Sequence, residues 1–190
     1  FNEFIKGATI AELGDDAMKP ALEAIAHKGN EPGDILIEHR ATQICIQIIN
    51  SLQELVVQEK ALFQAVGGAI SGDIYALPSM LVAAVLEEHY GAAVNLGPNT
   101  PLDVFRKASV LLDQSKKPDL VWISISELKN PIELSKEISR FADECYENKI
   151  KLIVGGRSAD KLILPPQLHL ALHTSLKDIH KQCTAFQKQI

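Results

Sequence analysis

Two groups of residues in this chain have the types and spacing needed to bind a ligand. The first group follows short apolar runs and contains Asp73, Tyr75, Ser124, Ser126, Gly155 and Gly156. Glycines at the end of a strand let a bulky group approach the backbone, and the serine hydroxyls offer hydrogen bonds. The second group is the adjacent pair Glu38-His39, which lies in a long run of helical periodicity. Together they predict a wide, flat-walled pocket.

Several classes of chemistry are disfavoured by what the sequence lacks. It has no P-loop lysine and no G-x-G-x-x-G turn, which argues against nucleoside triphosphates and dinucleotides. A formal net charge of −5 argues against a nucleic-acid surface. No Ser-His-Asp or Cys-His arrangement is recognisable, so we expect no catalytic residues and no enzyme activity. We assign no metal ligand either, because His169 and His173 straddle a predicted strand and a helix start. Glu87-Glu88 and Lys116-Lys117 are interpreted as solvated surface charge.

Cysteine usage and hydropathy bear on where the chain works. Cys45, Cys145 and Cys183 are far apart, odd in number and set among apolar residues, which predicts buried thiols in a reducing compartment. No apolar run approaches the roughly 20 residues of a membrane span, and no signal peptide opens the chain. We therefore expect a cytoplasmic protein without membrane contact. Because the chain begins at Phe1 without an initiator Met, we expect it to be part of a longer protein.

The elements that must position these residues fall into two regions. Residues 1–60 show helical periodicity and predict a small all-α bundle, with helices over residues 16–28 and 35–60 and a less regular helical stretch over residues 1–10. Three- and four-residue steps along the longest helix predict one packed face, made of Ile37, Ala41, Ile44, Ile48, Leu52 and Leu55.

After residue 60, strand-like runs alternate with helices, as in repeated βαβ units. The predicted strands cover residues 65–70, 92–95, 120–126, 152–154 and 168–172. Thr100-Pro101, and Asn130-Pro131 with Glu133, are start signals for two of the helices, and the last helix is predicted to begin at Thr174 or Ser175. Residues 61–190 therefore predict an α/β domain with a flavodoxin-like five-stranded parallel sheet flanked by helices.

In such a sheet, ligands bind beyond the carboxyl ends of the strands, where the strand order reverses. This rule selects the loops at residues 71–79, 124–130 and 155–158. The same residues also fit purely structural roles, with Tyr75 closing the top of the sheet and the hydroxyls of Ser124 and Ser126 bonding to neighbouring backbone.

Over residues 60–190 the chain resembles the cobalamin-binding domain family. The resemblance is carried by residues 72–78, 95–101, 121–126 and 154–156, and Leu96-Gly97 lies in the second of these segments. The family series is an acidic residue, a spacer, a histidine, two spacers and a glycine, followed by a serine and by Gly-Gly. The resemblance implies cofactor-binding roles for Asp73, Tyr75, Pro78, Leu96, Gly97, Ser124, Ser126, Gly155 and Gly156.

The chain departs from the family at the cobalt ligand. Tyr75 stands where the family has the cobalt-ligating histidine, and Pro78 stands where it has the glycine. A phenol with a pKa near 10 is a reluctant metal ligand at neutral pH, so no imidazole-like coordination is implied. Residues 28–30 also lack the tryptophan that precedes the family's Glu-His pair. Three alternatives remain: cobalamin without a protein ligand to cobalt, a haem or other tetrapyrrole, or no ligand.

The helical region carries its own resemblance. In light-responsive MerR-type regulators of this family, a helical module with a Glu-His pair covers the corrin, and Glu38-His39 matches that pair. The resemblance implies a ligand-sensing module of a bacterial transcriptional regulator, probably oligomeric with its own copies, with DNA contact only through a domain outside this chain. The alternatives are a corrinoid carrier domain of a methyltransferase system and a ligand-free dimerisation module.

Overall fold

The computed structural model describes residues 2–26, 31–56, 60–111, 117–165, 170–173 and 175–187. Its first part is a layer of helices: α1 (Asn2–Ile5), α2 (Ile10–Leu13), α3 (Lys19–Ala26) and α4 (Pro32–Val56). The predicted helical region is therefore present. The last residues predicted for its two longer helices, 27–28 and 57–59, lie outside the described residues.

The start of the chain is more broken than the predicted single helical stretch. Gly7 has a φ of 101°, a left-handed conformation that ends α1 and suits only glycine well. Thr9 then caps α2, because its side chain accepts a hydrogen bond from the backbone N–H of Glu12 while the Glu12 carboxylate accepts one from Thr9 N. A π-turn over Gly14–Met18 joins α2 to α3, so this helical stretch begins before the predicted residue 16.

The second part contains a five-stranded sheet in the order β2-β1-β3-β4-β5, and every pairing is parallel. The strands are β1 (Phe63–Ala69), β2 (Gly91–Asn95), β3 (Leu120–Ser124), β4 (Lys151–Gly155) and β5 (Leu170–His173). This order confirms the flavodoxin-like α/β fold. The predicted third strand ends two residues early, and residues 168–169 of the predicted fifth strand lie outside the described residues.

Helices cover both faces of the sheet. They are α5 (Ala76–Glu88), α6 (Leu102–Leu111), α7 (Pro131–Glu147) and α8 (Leu176–Gln187). One buried apolar cluster joins α5, α8 and the N-terminal helices to the sheet, and a second joins α6 and α7 to its other face. Asn130 caps α7 as predicted, because its side chain accepts a hydrogen bond from Glu133 N at 3.2 Å.

The buried face of α4 differs from the predicted one. Its buried residues are Cys45, Ile49, Leu52 and Val56, whereas Ile37, Ile44 and Leu55 are exposed. Apolar residues occur on several sides of this helix, so two faces satisfy the same three- and four-residue steps. Contact with α5 selects one of them. Within the described residues, α4 and the other helices are too short or too polar to cross a membrane.

Polar contacts fasten the N-terminal helices to the α/β part. Gln53 donates to Glu87 at 2.7 Å, and the Glu88 carboxylate accepts from Ile10 N at 3.1 Å. Lys177 N donates to Asp15 at 3.0 Å. The interpretation of Glu87-Glu88 as solvated charge is therefore wrong: both side chains are partly buried, and burial raises the pKa of each carboxyl group.

The three cysteines are buried free thiols, as predicted. Burial raises the pKa of Cys145 and Cys183 to about 12 and also raises that of Cys45. At pH 8 a thiol with such a pKa is ionised in about one molecule in ten thousand. We expect Ellman's reagent to label Cys145 and Cys183 far more slowly in the native protein than in denaturant. Rapid labelling of all three native thiols would contradict this burial.

Candidate functional site

A cavity of about 820 Å³ lies between the N-terminal helices and the carboxyl edge of the sheet. Residues of α3 and α4 form its roof, among them Leu22, Thr42 and Ile46. The loop after β1 and the ends of β3 and β4 form its floor, which includes Ser126 and Gly156. The volume lies within the range of about 300–1,000 Å³ that is common for small-molecule and cofactor sites.

One arm of the cavity extends into the fold between α5, α8 and the sheet. It is lined by Leu81, Trp122, Ile153, Leu176 and Ile179. All these side chains are apolar apart from the indole N–H of Trp122, which donates to the hydroxyl of Ser79 at 3.1 Å. The cavity therefore combines a wide upper part, with polar groups in its walls, and an apolar inner arm.

Most of the residues singled out in the sequence come together around this cavity. The residues lining it are Glu38, His39, Tyr75, Pro78, Ser124, Ser126, Gly155 and Gly156. Asp73, Leu96 and Gly97 are not among its lining residues. The predicted loops thus meet at one place, although three of the predicted contact residues lie behind its walls.

Asp73 holds two parts of the floor together. Its carboxylate is fully buried and accepts hydrogen bonds from the backbone N–H groups of Tyr75, at 3.0 Å, and Ser126. Its own carbonyl oxygen accepts from Asn99 N at 2.7 Å. Because the carboxylate is used in bonding the backbone, Asp73 positions the loop after β1 against the end of β3.

Leu96 and Gly97 connect the end of β2 to β1. The Gly97 carbonyl oxygen accepts from Ala69 N at 2.9 Å and from the Thr100 hydroxyl at 3.2 Å. Leu96 packs against the apolar cluster on the α6–α7 face. Their positions support the sheet edge from the side opposite the cavity arm.

The double glycine in β1 serves internal packing. A Cβ on Gly67 would lie 2.0 Å from a ring carbon of Trp122, and a Cβ on Gly68 would lie 2.8 Å from the carbonyl oxygen of Gly97. Another side chain and another backbone segment therefore fill this space. The sequence predicts the close approach correctly, and the structure identifies what approaches.

Arg157 is a residue of the floor that sequence analysis missed. Its guanidinium carbon lies 4.9 Å from the centre of the Tyr75 ring, and its Nε donates to the carbonyl oxygen of Ser126 at 2.9 Å. The cation–π contact and the hydrogen bond fix the arginine beside the cavity. Its position directly after Gly155-Gly156 was the available signal. Arg157 gives the floor a positive charge suited to anionic or amide groups.

Ser126 has an unsatisfied hydroxyl. Among the residues that the structure describes, no group forms a hydrogen bond with its buried Oγ. A buried polar atom without a partner is costly, at about 1–3 kcal/mol. Because Ser126 lines the cavity, a bound molecule with a polar edge could supply the missing hydrogen bond.

Glu38 and His39 enter the roof from the first half of α4. Glu38 is half-buried and His39 is exposed, and both line the cavity together with Thr42 one turn further along the helix. Residues 28–30, where the related regulators carry a tryptophan, lie outside the described residues. The roof thus places a carboxylate and an imidazole opposite Tyr75 and Arg157.

No protein-family model and no curated protein matches the sequence. Its fold matches the monomethylamine corrinoid protein of Methanosarcina barkeri, with 13% identity, a TM-score of 0.68 and coverage of 97% of this chain and 87% of that one. It also matches a cobalamin-binding protein of Desulfitobacterium hafniense DCB-2 (14%, TM-score 0.50, 93% and 94%) and the methanol:cobalamin methyltransferase complex MtaBC of M. barkeri (18%, TM-score 0.51, 93% and 67%). The chain therefore has the fold of cobalamin- and corrinoid-binding proteins.

Proposed function

We propose that this chain binds a corrinoid in the cavity between α3–α4 and the carboxyl edge of the sheet. The observation that carries the proposal is the cavity itself, which has the size of a cofactor site and contains the unpartnered hydroxyl of Ser126. A corrin ring is broad and carries amide groups around its edge. Such a ring fits a wide upper chamber with a serine, an arginine and a half-buried glutamate in its walls.

The residues of the chain divide the work of holding this ligand. Ser126 and Arg157 offer hydrogen-bond donors at the floor, and Glu38 and His39 offer polar contacts from the roof. The apolar arm beside Trp122 suits an aromatic or aliphatic group, and cobalamin carries a benzimidazole. When bound, the corrinoid supplies cobalt-centred chemistry. Tyr75 leaves the protein side of the cobalt without an imidazole.

We further propose that the module senses its ligand and performs no catalytic step itself. The roof helices and the strand ends belong to different parts of the fold, so a ligand held between them stabilises the arrangement in which both make contact. A ligand shifts such an equilibrium only by its difference in affinity for the two arrangements. An attached DNA-binding domain, or association with a second copy, would respond to this shift.

A corrinoid carrier is the second candidate. It is supported by the fold neighbours, since one is a corrinoid protein for monomethylamine and another is a methanol:cobalamin methyltransferase complex. Methyl transfer changes the oxidation state of cobalt and benefits from an imidazole ligand. Tyr75 at that position favours the sensor. A carrier would restore methylation turnover when added to a corrinoid methyltransferase, whereas a sensor would not.

The role of Tyr75 gives a direct test of the proposal. Purified wild-type protein is titrated with aquacobalamin, methylcobalamin and haemin, and binding is followed by co-elution and by absorbance. We expect micromolar or tighter binding of cobalamin without the absorbance change that marks imidazole coordination. In the Tyr75→His variant, we expect that change to appear with aquacobalamin, because the new imidazole lies on the cavity floor.

The Tyr75→Phe variant is the matched control, since it keeps the ring beside Arg157 and should bind cobalamin with the wild-type spectrum. Two results would count against the proposal. One is that neither the wild type nor Tyr75→His retains any cobalamin. The other is that haemin binds in the same cavity while every cobalamin is rejected.

A further inference from the structure

Glu88, His89 and His180 form a cluster that lies away from the cavity. One ligand atom from each residue lies within 4.8 Å of the others. Glu88 and His89 stand at the end of α5, and His180 comes from the second turn of α8. None of the three lines the cavity, so their grouping calls for a separate explanation.

The geometry of the two imidazoles is specific. His89 Nε2 and His180 Nδ1 face each other at 2.8 Å, and the ring centres are 4.4 Å apart at an angle of 66°. The two rings therefore meet edge to face, with one nitrogen of each directed at the same point. Glu88 Oε2 lies 3.9 Å from His180 Nδ1 and completes a triangle of nitrogen, nitrogen and oxygen.

The carboxylate is held in place by the backbone. Both Glu88 oxygens lie within hydrogen-bonding distance of Ile10 N, at 3.1 and 3.2 Å. A hydrogen-bonded carboxylate is a typical feature of a metal site, because the outer contact fixes the orientation of the ligand. His89 is 7% exposed, which gives the cluster a protected side, while the half-buried His180 leaves it open to ions from solvent.

We propose that Glu88, His89 and His180 bind a first-row divalent transition metal, with Zn²⁺ as the natural probe. Two imidazoles and a carboxylate are established protein ligands for zinc, and water fills the fourth position. With Zn–N bonds of about 2.0–2.1 Å, the two nitrogens would stand roughly 3.3 Å apart. The rings thus need to separate by about half an ångström, and the proton between them moves to the far nitrogen of its ring.

Such a metal would act as a clamp between helices. It would join the end of α5 to α8, and through Glu88 it would also reach the first residue of α2. α8 supplies Leu176 and Ile179 to the inner arm of the cavity. A bound metal therefore holds one wall of that arm in place, whatever ligand the cavity takes.

The test is a zinc titration of the metal-free protein by calorimetry, with the melting temperature measured in parallel. We expect a single zinc ion per chain at micromolar or lower Kd, a raised melting temperature, and no binding of Mg²⁺ at the same site. His180→Gln and Glu88→Gln should each weaken zinc binding by about tenfold or more. His39→Gln removes a histidine from the cavity roof and should leave zinc binding unchanged.

A second measurement guards against variants that fold poorly. Co²⁺ added to the wild-type protein should give the visible absorbance bands of a low-coordinate site with nitrogen ligands, and Zn²⁺ should displace it. Failure of zinc to bind the wild type, or zinc binding that neither His180→Gln nor Glu88→Gln alters, would overturn the proposal. Because His39→Gln acts in the cavity alone, failure here leaves the corrinoid proposal standing.

Discussion

Replacing Trp122 by alanine should destabilise the protein by about 3–5 kcal/mol, the cost of removing a large buried aromatic side chain. Trp122 is 1% exposed and its ring occupies the space above Gly67, where an added Cβ would lie 2.0 Å from it. Its indole N–H also donates to Ser79, whose hydroxyl donates to Asn95 at 2.9 Å. Urea denaturation measures the change in the free energy of unfolding.

Trp122→Phe is the control for the hydrogen bond. The phenyl ring keeps most of the packing against Gly67 and loses the donor to Ser79, whose hydroxyl still reaches Asn95. We expect a cost of about 1–2 kcal/mol from the lost hydrogen bond and the smaller ring. If Trp122→Ala cost less than Trp122→Phe, the indole would not be the packing element between β1 and β3.

Gly156→Ala should destabilise the protein by about 2–5 kcal/mol, through backbone strain and overlap with a neighbouring strand. Gly156 has a φ of 111°, which side chains with a Cβ rarely adopt. An added Cβ would lie 2.5 Å from the carbonyl oxygen of Ile125 and 2.9 Å from its N and C atoms. Backbone atoms cannot rotate away, so the end of β4 would have to move. Thermal and urea unfolding both report this loss.

Gly33→Ala is the matched control for Gly156→Ala. Gly33 lies in the first turn of α4, and a Cβ there meets nothing within 4 Å. Alanine should stabilise the protein by about 0.4–1 kcal/mol, because it reduces the freedom of the unfolded chain. Equal effects of the two substitutions would show that the floor at Gly156 is looser than its contacts indicate.

Local signals were sufficient to predict the α/β part of the fold. Alternation of strand-like runs with capped helices predicted the parallel sheet, and the Asn130 cap lies where the sequence indicated. The strand order then predicted that the loops after β1, β3 and β4 meet at one edge. This inference needed no side-chain geometry, because parallel strands direct their carboxyl ends to the same side.

Features that depend on packing between distant segments were not predictable. Apolar residues on several sides of α4 allowed more than one buried face, and only contact with α5 decides among them. Glu87 and Glu88 have the sequence signature of surface charge, yet Gln53 and Ile10 N bury and bond them. His89 and His180 are 91 positions apart, so no local pattern connects them.

The most direct test of corrinoid binding fills the cavity from its roof. Equilibrium dialysis against cobalamin is compared for the wild type, Thr42→Trp and Gln47→Trp. Thr42 lines the cavity, whereas Gln47 is exposed on the same helix outside it. We predict that the wild type and Gln47→Trp retain cobalamin while Thr42→Trp loses at least about tenfold in affinity, since one buried aromatic ring exceeds 1.4 kcal/mol of lost contact. Equal retention by all three proteins, or none by the wild type, would contradict the account.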